Sequence, residues 1–149
     1  MHSKIFLVFV VFFGACVATD TVNWSDCGST AGEVKSVVVA NCPGDRCILK
    51  RGTNATLAIT FISKVSSTNL TAVVYGDVLG YKTKFPLPNA DACKGVGVEC
   101  PLEEGKTYVY TDTFEVKQVY PRVIVEIWWE LITDTGDKAV CIIIPAKIN

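Results

Sequence analysis

A chain of 149 residues has room for one domain. Apolar residues make up 50% of it, charged residues 19%, and 14 basic side chains meet 15 acidic ones. That balance leaves no basic excess for holding nucleic acid.

Residues 1–18 read as a secretory signal peptide, leaving the domain at 19–149. His2 and Lys4 make a basic start, and 5–13 is a solid apolar run. Gly14, Ala15, Cys16, Val17 and Ala18 form a small-residue cleavage region. The apolar run is too short to span a bilayer. Cleavage removes Lys4, so 13 basic residues face 15 acidic ones. It also removes His2, the one histidine, and with it any histidine triad, proton shuttle or zinc ligand. Cys16 goes too, and Cys27, Cys42, Cys47, Cys93, Cys100 and Cys141 remain. An even set in a small secreted domain reads as disulfides. Spacing favours the local bridges Cys42–Cys47 and Cys93–Cys100, which leaves Cys27–Cys141 to tie the ends of the domain together. By loop entropy, closing roughly 100 residues is worth about 4–5 kcal/mol.

Asn23, Asn54 and Asn69 each begin a glycosylation sequon, which suggests exposed positions. A strand is expected over 34–40, followed by a clamped turn at 42–47. In the strand at 54–61, Leu57, Ile59 and Phe61 share one face. Asn54 shares the other with Thr56 and Thr60, so a glycan there points to solvent. Residues 70–79 read as a strand pair interrupted at Gly76-Asp77. Residues 81–87 follow, and Pro86 and Pro88 exclude a central strand there. Loop fills 89–104, and short strands are expected at 106–110 and 113–119. The strongest element is 123–132, where Val123, Val125, Ile127, Trp129 and Leu131 make one unbroken apolar face. A turn at 134–137 leads to a hairpin partner at 140–144. About seven to eight short strands with turn residues between them predict an all-β, immunoglobulin-like sandwich of two antiparallel sheets.

Catalytic signals are weak. Glu126 and Glu130 share a strand face and read as the solvated side of an edge-exposed sheet, so no enzyme is expected. Glu103, Glu104, Asp134 and Asp137 lack the spacing of a calcium loop and read as turns, with no metal or cofactor. The unusual feature is the number of large rings, among them Phe61, Tyr75, Phe85, Tyr108, Tyr110, Phe114, Tyr120, Trp128 and Trp129. They suit either a packed core or a cavity between splayed sheets, and periodicity does not separate the two.

Several motifs narrow the choice. They include Asp26-Cys27-Gly28-Ser29, the Cys42/Cys47 loop, Phe85-Pro86-Leu87-Pro88 and Cys100-Pro101-Leu102. Lys106-Thr107-Tyr108-Val109-Tyr110, Tyr120-Pro121, Trp129-Glu130-Leu131 and Cys141 with Pro145 follow in order. In order and spacing the chain resembles the ML lipid-recognition domain family, and within it the soluble secreted sterol carriers. The resemblance implies a sandwich that opens to hold one lipid, most often cholesterol, with the same three disulfides. It implies a pocket mouth at Phe85, Val116, Tyr120 and Pro121. Deeper walls fall at Val39, Leu49, Val74, Tyr110, Val125, Ile127 and Trp129. It further implies a monomer that binds and hands over lipid without bond chemistry, secreted or in the lysosomal lumen. The receivers it implies are membrane surfaces and the large Niemann–Pick type C membrane protein. One departure stands out: Lys82 and Lys84 precede Phe85, where such carriers are mostly apolar. Lysines at the mouth would suit a carboxylate, so fatty acids or semiochemicals are a second expected ligand class. Presentation of a lipid to an innate immune receptor, as other family members do, is a third reading.

Overall fold

In the computed structural model, which describes residues 22–42 and 44–149, the alternating pattern becomes nine strands with no helix among those residues. The leader at 1–18 lies outside the described residues, as does Pro43. The strands are β1 Ser25–Asp26, β2 Gly32–Val39, β3 Cys47–Leu49, β4 Thr53–Ser63 and β5 Leu70–Val78. They continue with β6 Tyr81–Phe85, β7 Thr107–Val116, β8 Ile124–Thr133 and β9 Lys138–Ile148. The larger sheet runs β1-β9-β8-β5-β6, and the smaller runs β2-β4-β7. All pairings are antiparallel except that of β3, which joins β9 in parallel through Cys47↔Ala146.

The two inner faces make one core. Leu57, Ile59 and Phe61 of β4 are buried, as are Trp129 and Leu131 of β8 and Ile142 and Ile144 of β9. At one end the sheets nearly touch. A side chain on Gly32, at the start of β2, would meet the Ala139 carbonyl, and the neighbouring Ala31 N–H donates to the Lys138 carbonyl at 2.8 Å. At the other end β7 of the smaller sheet faces β3, β5, β8 and β9 of the larger one across a cavity. The twist of paired strands cannot keep both ends of two sheets in contact, and the site forms in the open end.

The disulfides are Cys27–Cys141, Cys42–Cys47 and Cys93–Cys100. The short strands β1 and β3 have no counterpart in the sequence expectation, and the strand boundaries differ from it most at three places. β5 runs unbroken through Gly76-Asp77, and the chain reverses at Leu79-Gly80. Both turn residues have positive φ, and the Gly80 N–H donates to Asp77 Oδ1 at 2.8 Å, so a two-residue hairpin of primed type forms there. The short strands expected at 106–110 and 113–119 are one strand. β4 pairs with all of β7, and the Thr56 and Thr113 hydroxyls sit 3.0 Å apart across it. β9 passes through Pro145, because on its outer side Pro145 falls between the ladder to β1 at Ile143 and the ladder to β3 at Ala146.

Glu130 is a further correction. It is not solvated: Lys138 and the Cys27–Cys141 disulfide lie against its carboxylate and cover it. Lys138 Nζ donates to Glu130 Oε1 at 2.9 Å, and the Cys141 sulfur lies 3.7 Å from the same oxygen. Glu126 does face solvent. Replacing Lys138 by methionine strands the Glu130 carboxylate and is expected to cost about 1–3 kcal/mol in a urea titration. An unchanged midpoint would mean that Glu130 finds water when its partner leaves.

Candidate functional site

Alternation places every second residue of the diverging strands between the sheets. β8 contributes Val125, Ile127 and Trp129; β5 contributes Val74; β6 contributes Phe85. β7 contributes Phe114 and Val116, β3 contributes Leu49 and β9 contributes Ile148. Together with Tyr120 from the β7–β8 connection they surround a cavity of about 70 Å³. Tyr75, Gly76 and Glu115 complete its border, and Glu115 is the one ionisable carboxyl among them.

The mouth is held in place by defined contacts. The Phe85 and Tyr120 rings meet edge to face at 5.2 Å. Arg51 Nη1 donates to the Gln118 and Tyr120 carbonyls at 3.1 and 3.3 Å, which fixes the loop that carries Tyr120. Burial pushes the Tyr120 phenol upward, and the nearby Glu115 carboxylate adds to the shift. The hydroxyl stays protonated, and among the described residues it makes no side-chain hydrogen bond.

A second, smaller chamber lies beside the first, towards β9, β3 and β2. Val39, Cys47, Leu57 and Ile144 line it, and it shares Leu49, Phe114, Ile127 and Trp129 with the main cavity. Its volume of about 10 Å³ is close to the lower limit for a single water.

The structure thus brings Phe85, Val116, Tyr120, Leu49, Val74, Val125, Ile127 and Trp129 around one cavity, with Val39 in the adjoining chamber. Two residues expected there are elsewhere. Pro121 is exposed, because the chain turns outward after Tyr120. Tyr110 is fully buried and borders neither space; its ring packs edge-on against Trp129 at 6.1 Å. The Tyr110 hydroxyl donates to Asp112 Oδ2 at 3.1 Å, and burial, with the Asp112 charge, raises its pKa far above that of an ordinary phenol. Ile148 lines the cavity without a sequence expectation, and Phe114, expected only as one of the rings of a core or a cavity, lines it too. Phe114 shares its period-two side with Tyr110 and Val116, a signal that was available in the sequence.

The lysines before Phe85 are also not at the mouth. Lys84 pairs with Tyr75 and Lys82 with Asp77, on the face opposite the inward Phe85. Lys82 Nζ lies over the Trp128 ring, 3.2 Å from its centroid, and Trp128 points away from the cavity that its neighbour Trp129 lines. Asn23, Asn54 and Asn69 are exposed, with Asn54 opposite Glu115 on the outer side of the smaller sheet.

Residues 21–148 match the family model described as the ML domain. The chain is 42% identical over 142 residues to NPC intracellular cholesterol transporter 2 homolog a of Drosophila melanogaster, covering 94% of this chain and 92% of that protein. It is 38% identical over 135 residues to NPC intracellular cholesterol transporter 2 of Bos taurus, covering 91% and 90%. Among solved structures it is similar to a Niemann–Pick type C2 protein from the Japanese carpenter ant. The TM-score is 0.82 at 30% identity, over 85% of this chain and 99% of that one.

Proposed function

Because the chain belongs to the ML domain family, we propose that it is a lipid carrier which holds one sterol, cholesterol first, between its sheets and hands it on without making or breaking a covalent bond. The observation that carries this reading is the main cavity, whose wall is almost wholly apolar and has one neutral phenol at its mouth. Rings and branched side chains reward hydrocarbon at about 0.8 kcal/mol per buried CH₂. A rigid sterol ring system loses little entropy on entering such a space. Its single hydroxyl suits the Tyr120 rim. Lipid sites commonly measure a few hundred Å³, so loading parts the sheets at their diverging end. A fatty acid is less well served, since Lys82 and Lys84 lie on the outer face and offer its carboxylate nothing.

Release to a membrane, or to a membrane partner such as the large Niemann–Pick type C protein, completes the cycle. Leu79, Tyr81 and Val119 are 94%, 81% and 83% exposed at the mouth end, and they support contact with an apolar receiving surface. Three disulfides and exposed sequons support a secreted or lysosomal-lumen setting for a monomeric carrier.

Native mass spectrometry after incubation with cholesterol tests the reading. One sterol per chain is expected, and a chain that stays empty sinks the proposal. Replacing Val116 by phenylalanine is expected to weaken sterol binding by tenfold or more while costing about 1–3 kcal/mol of stability, since it fills space that the ligand needs. Full binding by this variant would show that the cavity is not the site.

A further inference from the structure

We propose that Phe114 is a movable partition between the two chambers, and that it selects lipids by whether they carry a flexible tail that can displace it. The inference rests on the carrier reading and adds a subsite to it. Phe114 is one of four residues bordering both spaces, with Leu49, Ile127 and Trp129. The four differ in freedom. Trp129 is 1% exposed and Leu49 5%, and Trp129 and Ile127 sit on β8 with a strand paired on each side. Phe114 is partly buried, as Ile127 is, but it alone of the four combines this with a strand, β7, that has a hydrogen-bonded partner, β4, on one side only. Its ring leans on Trp129 at 5.7 Å in a tilted contact. Such a contact and two side-chain torsions are a small barrier to rotation.

The smaller chamber is walled by Val39, Leu57, Ile144 and Cys47, with no charged side chain. At about 10 Å³ it does not admit a methyl-branched chain as it stands. Rotation of Phe114 turns the volume of its own ring over to the ligand and joins the two spaces. The ring system of a sterol then occupies the main cavity and its alkyl tail takes the place of the Phe114 ring. A ligand without a tail leaves Phe114 where it is and gains nothing from the smaller chamber.

The test compares cholesterol with androstenol, which keeps the rings and the hydroxyl but lacks the alkyl side chain. The readout is the ratio of their affinities. In Phe114→Trp the larger partition blocks the tail, and the ratio should fall about tenfold, the equivalent of roughly two buried methylenes. In Phe114→Ala the tail meets no partition, and the ratio should rise severalfold. An unchanged ratio in both variants overturns the proposal while leaving the carrier reading standing. If Phe114→Trp does not fold, Phe114→Ala decides alone, and a ratio that does not rise overturns the proposal. A wild-type chain that binds neither sterol overturns the carrier reading and this inference together.

Discussion

Truncating Trp129 to alanine should destabilise the protein by about 3–5 kcal/mol, the usual cost of removing a large buried ring. Trp129 is 1% exposed and packs against Tyr110 at 6.1 Å and Phe114 at 5.7 Å, so it links the inner faces of the two sheets. Its strand, β8, is held by β5 through Val74 and by β9 through Ile142, so the backbone cannot close over the hole. The loss therefore includes a cavity term on top of the transfer term. A urea titration followed by circular dichroism measures it. A loss below about 1 kcal/mol would mean that the wall around Trp129 is already loosely packed. Lipid affinity should fall as well, because the same ring borders both chambers.

Removing the long disulfide should cost about as much by a different route. Cys27 and Cys141 are separated by 114 residues, against 7 for Cys93–Cys100 and 5 for Cys42–Cys47. On loop entropy, replacing the long pair by alanines costs about 4–5 kcal/mol, and either local pair costs about 2. The native state loses little else. The Cys27 N–H still donates to the Cys141 carbonyl at 2.9 Å, and Ser29 Oγ still accepts from the Cys141 N–H at 2.8 Å. The effect should therefore lie in the unfolded chain, and lipid binding by the folded fraction should survive. Equal losses for the long pair and the Cys93–Cys100 pair would exclude chain entropy as the origin.

Much of this protein can be read from the order of its residues. Strand positions follow from period two, because a side chain in a strand has two directions to choose from and the apolar ones share a direction. That rule marks Val125, Ile127 and Trp129 as neighbours on one face, and Leu57, Ile59 and Phe61 on another. Cysteine spacing limits the pairing in the same local way. Period two does not say what covers a face. Glu130 alternates like a surface residue and is nevertheless buried, because Lys138 and the Cys27–Cys141 disulfide come to lie against it, while Glu126 on the same face stays exposed. Nor does it say which side a mouth opens on. Lys82 and Lys84 precede Phe85 by a residue or a few, yet parity puts them on the outer face once Phe85 is known to point inward. Tyr110 and Phe114 occupy the same inward series on β7, but one is packed against the rear of Trp129 and the other divides two chambers. Whether the aromatic interior is solid or hollow was likewise decided only in three dimensions. It depends on how far apart the sheets stand, and that follows from the twist of all nine strands and from the close contact of Gly32 with Ala139 at the far end, not from any single stretch of chain.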